Sequence, residues 1–473
     1  MSATREQFGS RIGFILAAAG SAVGIGNMVG FPVAATKNGG GAFLLIYAIF
    51  VAFICLPVML AEMSVGRHSR KDPLGAYSTM SNNHNGWKVA GWLSIITPFM
   101  IAVFYLVITV WIFGYLYQSV TGNLDMLAAP DTFGSFINGV DLIYYSLAVL
   151  AIIYLILQGG VKRGIEKAAK IMMPALFIML VALVIFVLTL DNAFEGVKYY
   201  VIPDFSKINA SVVSAALSQA FFSLSLGMGI MITYGSYLDS KSDVAGSAKM
   251  VALLDTAVAF IAGLLILPAV FSFNPNIDTS ELSDSSVGMI FTFLPKIFLA
   301  LQTSIGYTGA SAVASLFFVL VFFAAITSMV SIFEVPVAAL MEEKKFKRRK
   351  ALGLLGLLLV VMGVMAATSF GVADFFTQFT QYAGQSKSFF DLIIDVFYDT
   401  ILPLNGLLIC IFVMYRWKKI NFTQEMDVNS QSQGNNWFIR YVNFSVSTFI
   451  PIILLAVFVN TVALKYFGSA LIG

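Results

Sequence analysis

Asp255 interrupts the apolar run Val251 to Leu267, and no basic residue lies within that run. A carboxylate placed there is costly, and by default it marks a cavity or an ion path; the alternative is a protonated acid with a structural role only. Further along, Ala324, Thr327 and Ser328 share one helix face by their spacing of three and four. Their oxygens suit a hard monovalent cation, although Ser and Thr in apolar helices often bond back to their own backbone. Two glycine-rich stretches could supply the remaining ligands. Gly20-Ser21-Ala22-Val23-Gly24-Ile25-Gly26-Asn27 and Phe221-Phe222-Ser223-Leu224-Ser225-Leu226-Gly227-Met228-Gly229 each break an otherwise apolar segment. Bare amides and carbonyls at membrane depth survive only where they line a cavity or are buried in protein. Two other acids stay open. Glu62 is either half of an ion pair with nearby Arg67 or a functional acid, and Glu334 is either a gate or a helix-packing group.

The elements carrying these residues are membrane spans. The chain has 473 residues, of which 59% are hydrophobic and 11% charged, the composition of an integral membrane protein. Apolar runs long enough to cross a bilayer recur near 12–35, 41–66, 89–120, 139–157, 166–190, 211–237, 245–272, 308–341, 351–369, 389–417 and 438–467. Eleven spans result. The first is too long, and too broken by glycine, to read as a cleavable signal. With the N-terminus in the cytoplasm, 22 basic residues fall inside and 6 outside (Lys37, Lys198, Lys207, Lys296, Lys387 and Lys465). This positive-inside bias implies a multi-pass protein of the plasma (inner) membrane with its C-terminus extracytoplasmic. The net charge of +3 is then a topology signal and gives no support to nucleic-acid binding.

Cys55 and Cys410 lie within apolar spans and read as packing residues, while His68 and His84 share a polar loop and read as solvated. Residues 1–473 form one transmembrane domain by this reading, because no polar stretch is long enough to fold separately. The apolar patch Met289 to Leu301 predicts a re-entrant or lid helix. Asn421 to Asn436 predicts a flexible linker. The two broken spans lie five spans apart, which points to an inverted repeat with the site where the breaks meet. That divides the chain into repeats over 1–190 and 210–417 and an additional helix over 438–467. Glycines that merely permit close helix packing would not explain the accompanying Asn27, Ser223 and Ser225.

Several motifs together resemble the neurotransmitter:sodium symporter family, and its bacterial amino acid transporters in particular. They are Arg5-Glu6-Gln7-Phe8-Gly9-Ser10-Arg11-Ile12-Gly13, Gly20 to Asn27, Phe31-Pro32, Asn38 to Phe43, Val161 to Glu166, Phe221 to Gly229, Ala324 to Ser328 and Pro403-Leu404. The resemblance spans essentially the whole chain. It implies an all-α leucine-transporter-like fold with discontinuous helices 1 and 6, no organic cofactor and two sodium sites. The first would use the Ala22 carbonyl, Asn27, Ser223, Asp255 and the substrate carboxylate. The second would use carbonyls of Gly20, Val23 and Ala324 with the hydroxyls of Thr327 and Ser328.

By the same resemblance, the substrate carboxylate meets the Gly26 amide and the Tyr105 hydroxyl, and the amine meets carbonyls near Ala22 and Phe222 and the Ser225 hydroxyl. Ser21, Ile25, Ile101, Phe222, Met228 and Ile332 would enclose its side chain, with Ser223 and Ser328 close by. Gly24 stands where the amine-transporting branch carries an acid, so a substrate with its own α-carboxylate is implied. The apolar lining favours a neutral aliphatic or aromatic side chain. Tyr47, Gln219, Ser223 and Asp255 would surround the chloride position of chloride-dependent relatives, with Asp255 standing in for the anion. The inner gate would join Arg5 to Glu342, supported by Phe8, Ser236 and Tyr237. At the outer gate the usual arginine is replaced by Gly30, leaving Asp395, or else Asp391, as the acid. Lys387 could supply the cation, closure could rest on Tyr105 and Phe222, or a cationic substrate group could fill the gap.

The implied activity is sodium-coupled symport of a neutral amino acid by alternating access, without chloride. Proton coupling through Asp255 and a receptor that binds without transport are the competing readings. Enzyme readings fare poorly, because the chain has no Gly-x-x-x-x-Gly-Lys-Ser/Thr loop.

Overall fold

The computed structural model describes residues 5–273, 286–428 and 436–469. Eight of the described helices are long and apolar enough to cross a membrane, and a ninth span forms when Arg11–Ala22 and Gly26–Lys37, bent by 55°, are joined. Two further elements complete the order expected from the sequence. Leu142–Gln158 has only 17 residues, and the sixth position is split into Ala210–Ser223 and Ile230–Ser236. Neither passes the length criterion alone. The protein is thus an all-α membrane protein whose first and sixth segments are discontinuous, and its one described sheet is the hairpin Thr380–Tyr382 with Gln385–Lys387.

Local chemistry explains both breaks. In the first, Val23 leaves the helix at ψ 96° while its amide still bonds the Ala19 carbonyl at 2.7 Å. In the sixth, Ser225, Gly227 and Gly229 all hold positive φ, at 53°, 75° and 66°. Glycine takes that conformation freely, whereas for Ser225 it costs about 1–2 kcal/mol. The Ser225 hydroxyl donates to the Ser21 carbonyl at 3.0 Å, so the strained residue joins one break to the other.

Around the breaks the third span (Asn85–Val120) and the eighth (within Gln302–Glu343) lie side by side, and the first half-helix packs against the fifth, seventh and eighth spans. Met289–Ala300 is helical, as its apolar pattern predicts, and Phe291 packs on Trp111, Tyr115 and Phe133. The stretch expected to be a flexible linker is in part ordered: Lys419–Asp427 is a helix, and residues 429–435 lie outside the described residues. Glu425 on that helix receives Arg67 Nε at 2.6 Å and His68 Nδ1 lies 3.1 Å from its other oxygen. His68 also lies 4.9 Å from the Trp417 ring while staying exposed to solvent. Cys55 and Cys410 are both buried thiols.

The second span (Gly41–Ser69) packs on Ile230–Ser236 through paired glycines. A Cβ on Gly66 would lie 2.0 Å from the Ile232 carbonyl oxygen, and one on Gly235 would lie 2.6 Å from that of Met63. Small residues let backbones approach this closely. Gly66→Val should therefore destabilise the protein by about 1–3 kcal/mol, read as a lower melting temperature in detergent. Gly353→Ala, where nothing lies within 4 Å of the added carbon, should not.

Candidate functional site

The two breaks meet at a buried polar knot. Asn27 Nδ2 donates to Asp255 Oδ1 at 2.7 Å and to Ser223 Oγ at 3.0 Å. Ser223 Oγ donates to Asp255 Oδ2 at 2.8 Å, and the Tyr47 hydroxyl lies 3.1 Å from Ser223 Oγ and 3.3 Å from Asp255 Oδ2. Four spans contribute, and all four side chains are buried. Asn27 also holds its own break, accepting the Gly24 amide at 3.1 Å. Several oxygens around a carboxylate suit a desolvated cation, and the acid supplies the compensating charge.

The eighth span supplies a second oxygen cluster. Ser328 Oγ donates toward carbonyls of the first break, at 3.1 Å to Ser21 and 3.4 Å to Gly20 and to Val23. Thr327 instead bonds back to its own helix, at 2.9 Å to Phe323 O and 3.1 Å to Ala324 O. The backbone-bonding alternative thus describes Thr327 and not Ser328. Ser331, which the sequence reading passed over, bonds the Thr327 and Ser328 carbonyls.

Above these clusters lies a cavity of about 190 Å³ lined by Ile25, Gly26, Tyr105 and Phe222 among the expected residues, and by Gly30, Phe104, Ile108, Gln219, Ile394 and Tyr398. Ile101, Phe104, Tyr105 and Ile108 recur at helical spacing, a signal that could have added the two missing lining residues of the third span. Tyr105 Oη accepts the Ile25 amide at 3.1 Å, and Gln219 Nε2 donates to the Gly26 carbonyl at 3.1 Å. Gly24 has no room for a side chain: a Cβ there would fall 2.6 Å from Tyr105 Oη and 2.7 Å from Ser328 Oγ. Ser21, Ile101, Ser225, Met228, Ser328 and Ile332 are buried and do not line this cavity. Ser21 Oγ has no hydrogen-bond partner among the described residues.

Two acids behave differently from their sequence neighbourhood. Glu62 pairs with the second break and not with Arg67, accepting the Gly227 amide at 2.7 Å, while Asn405 Nδ2 donates to the Gly227 carbonyl at 2.8 Å. Glu334 accepts the Tyr237 hydroxyl at 2.8 Å and Arg348 Nη2 at 2.7 Å. Asp395 is not brought to Gly30. It is bound by Lys465 and Tyr382, and the residues of the tenth span that line the cavity with Gly30 are Ile394 and Tyr398. Asp391 caps the helix start at Ser388.

On the opposite side, Arg5 forms an ion pair with Glu342, donates from Nε to Ser236 Oγ at 2.8 Å and lies 4.9 Å over the Tyr237 ring. Phe8 packs edge-on against Tyr234 and Tyr237. Glu342 also accepts the Asp72 amide at 2.8 Å. Burial, with the Glu342 carboxylate beside it, pushes Asp72 up to about 8. A raised carboxyl favours the folded state while protonated, so its contribution is whole below about pH 4, is lost as pH rises through about 8, and changes no further above. The melting temperature should fall across that window and Asp72→Asn should flatten the fall; an unchanged slope in that variant would contradict the assignment.

The sodium:neurotransmitter symporter family model matches residues 5–135 and 132–469. A sodium-dependent transporter of Bacillus subtilis (strain 168) is 34% identical, with 98% of each chain covered. The sodium- and chloride-dependent taurine transporter of Bos taurus is 26% identical over 62% of this chain and 54% of its own. The crystal structure of MhsT in complex with L-phenylalanine aligns with a TM-score of 0.83 at 38% identity, covering 96% of this chain and 99% of that one. With its broken first and sixth segments meeting at Asn27, Ser223 and Asp255, the chain belongs to the sodium:neurotransmitter symporter family, as a sodium-dependent membrane transporter and not an enzyme.

Proposed function

We propose that this transporter carries a neutral amino acid with an apolar or aromatic side chain inward, together with sodium, by alternating access. The observation that carries the reading is the knot of Asn27, Ser223, Asp255 and Tyr47 at the meeting of the two breaks. One sodium would lie there, completed by the Ala22 carbonyl and the substrate carboxylate. A second would lie between the carbonyls of Gly20, Val23 and Ala324 and the hydroxyls of Thr327 and Ser328. The closeness of Ser328 to the Gly20 and Val23 carbonyls supports the second position.

The substrate carboxylate would take the Gly26 amide and Tyr105, and the amine would take the carbonyls at Ala22 and Phe222 with Ser225. Exposed amides at a helix start favour the anion and exposed carbonyls at a helix end favour the cation. Gly24 cannot hold an acid without displacing Tyr105 and Ser328, which agrees with a substrate that brings its own carboxylate. Ser21, Ile25, Ile101, Phe222, Met228 and Ile332 would form an uncharged side-chain pocket, and the L-phenylalanine in the MhsT structure fits that character. Met228 adapts to more than one shape.

One transmembrane domain with the N-terminus cytoplasmic and the C-terminus extracytoplasmic agrees with the basic residues concentrated on the Arg5 side. Arg5, Glu342, Ser236 and Tyr237 would then close the inner side while substrate enters from outside. Each sodium moved inward gains roughly 2.3 kcal/mol per 100 mV.

Three outcomes test this reading. In purified protein, leucine or phenylalanine should raise the melting temperature only when sodium is present; stabilisation that depends on acid pH and not on sodium would favour proton coupling through Asp255. Uptake into proteoliposomes should survive replacement of chloride by gluconate, because Asp255 already supplies the negative charge. Arg5→Ala should raise thiol labelling of cysteines introduced in the inner vestibule, and unchanged labelling would argue against the inner gate.

A further inference from the structure

An ion pair closing the outer mouth would need a cation on the first span and an anion on the tenth, facing each other. In the cavity lining the first span contributes Gly30 and the tenth contributes Ile394 and Tyr398, none of them charged. The acids of the tenth span lie on its other side. Within the π-wound stretch Ile394–Ile401, Ile394 and Tyr398 turn toward the cavity, and Asp395 and Asp399 turn toward the last span.

That second face is bound by one ammonium. Lys465 Nζ lies 2.6 Å from Asp395 Oδ1 and 2.7 Å from Asp399 Oδ2. The hairpin adds Tyr382, whose hydroxyl donates to Asp395 Oδ2 at 2.7 Å, and Lys387, 3.7 Å from the same oxygen. Two carboxylates and two ammonium groups balance. Tyr466, next to Lys465, places its hydroxyl 3.3 Å from the Asp395 carbonyl and 3.2 Å from Thr400 Oγ1.

The same stretch holds the closing ring. Tyr398 packs edge-on against Phe222 with centroids 4.4 Å apart, and against Phe104 at 6.1 Å. Behind Phe222 and Tyr398 a second cavity of about 210 Å³ reaches Asp399 and Lys465. The rings therefore stand between two spaces, on a segment tied to the last span through Asp395 and Asp399.

We propose that Lys465 is the positioning residue of the outer closure: bridging Asp395 and Asp399, it ties the tenth span to the last and holds Tyr398 over Phe222, in place of an ion pair across the mouth. Neutralising it leaves two carboxylates one turn apart facing each other's field, which loosens the segment. The role rests on the transport reading above, but its test does not. With Ile108→Cys as a reporter in the cavity wall, and Cys55 and Cys410 buried, labelling by a membrane-impermeant thiol reagent reads how open the mouth is without any substrate. Lys465→Met should speed labelling by about tenfold, within the range usual for conformational coupling, while Lys465→Arg stays within about threefold of the parent.

Equal rates in Lys465→Met and the parent, or equal acceleration by Met and Arg, would overturn the proposal. If Lys465→Met does not fold, Lys465→Gln, which removes the bridging charge and keeps both carboxylates, is compared with the parent in its place and should speed labelling in the same way. Protection of the reporter by sodium plus phenylalanine belongs to the transport reading. Its loss in the parent, with the Lys465 effect intact, would count against that reading alone.

Discussion

Backbone that leaves a helix at membrane depth must find partners for its amides and carbonyls, and the arrangement of this protein follows from how that demand is met at two places at once. Each break satisfies itself only in part. The amide of Gly24 goes to Asn27, whose other end bonds Ser223 and Asp255 on the sixth and seventh spans. The carbonyl of Ser21 takes the hydroxyls of Ser225 and Ser328. Gly227 gives its amide to Glu62 and its carbonyl to Asn405. Each break is thus held by side chains from other spans, and any shift of one span changes the partners of both. Such mutual dependence lets a small bound species bias the whole helix arrangement, provided it interacts differently with each state.

The separation of roles along the tenth span follows a similar logic. Residues four apart share a helix face, so Ile394 and Tyr398 present apolar surface to the cavity while Asp395 and Asp399 meet a lysine of the last span. With Gly30 in the lining of the same cavity, ring packing of Tyr398 on Phe222 and Phe104 stands there. The opposite side holds a charged network, in which Arg5, Glu342, Arg348 and Glu334 are joined through Tyr237 and Ser236. Both sides therefore hold charge pairs, but on the tenth span the acids turn to the last span while rings face the cavity.

Much of this was legible in the residues. Glycine and amide inside apolar runs located both breaks, and a lone carboxylate in an apolar helix located Asp255, because each violates the pattern of its surroundings. Spacing put Ser328 on one face with Ala324 and Thr327, and the family resemblance put that face beside the first break. The failures were of another kind. Glu62 was weighed against Arg67 because they are near in sequence, yet the tertiary partner of Glu62 is an amide 165 residues away. The acid at 395 was aligned with a gate, yet a one-residue difference in helical phase turns it to the opposite face from Ile394. The short hairpin that brings Tyr382 and Lys387 to Asp395 gave little periodic signal, since each strand has only three residues.

The central claim is that the two breaks close around cations that the substrate helps to bind. The most direct measurement is an experimental density map of the protein with sodium and phenylalanine at high resolution. It should contain an ion within coordinating distance of Asn27, Ser223, Asp255 and the substrate carboxylate, and a second beside Thr327 and Ser328. An amino acid bound between the breaks with Asn27 still donating to Asp255, and no ion at either place, would contradict it.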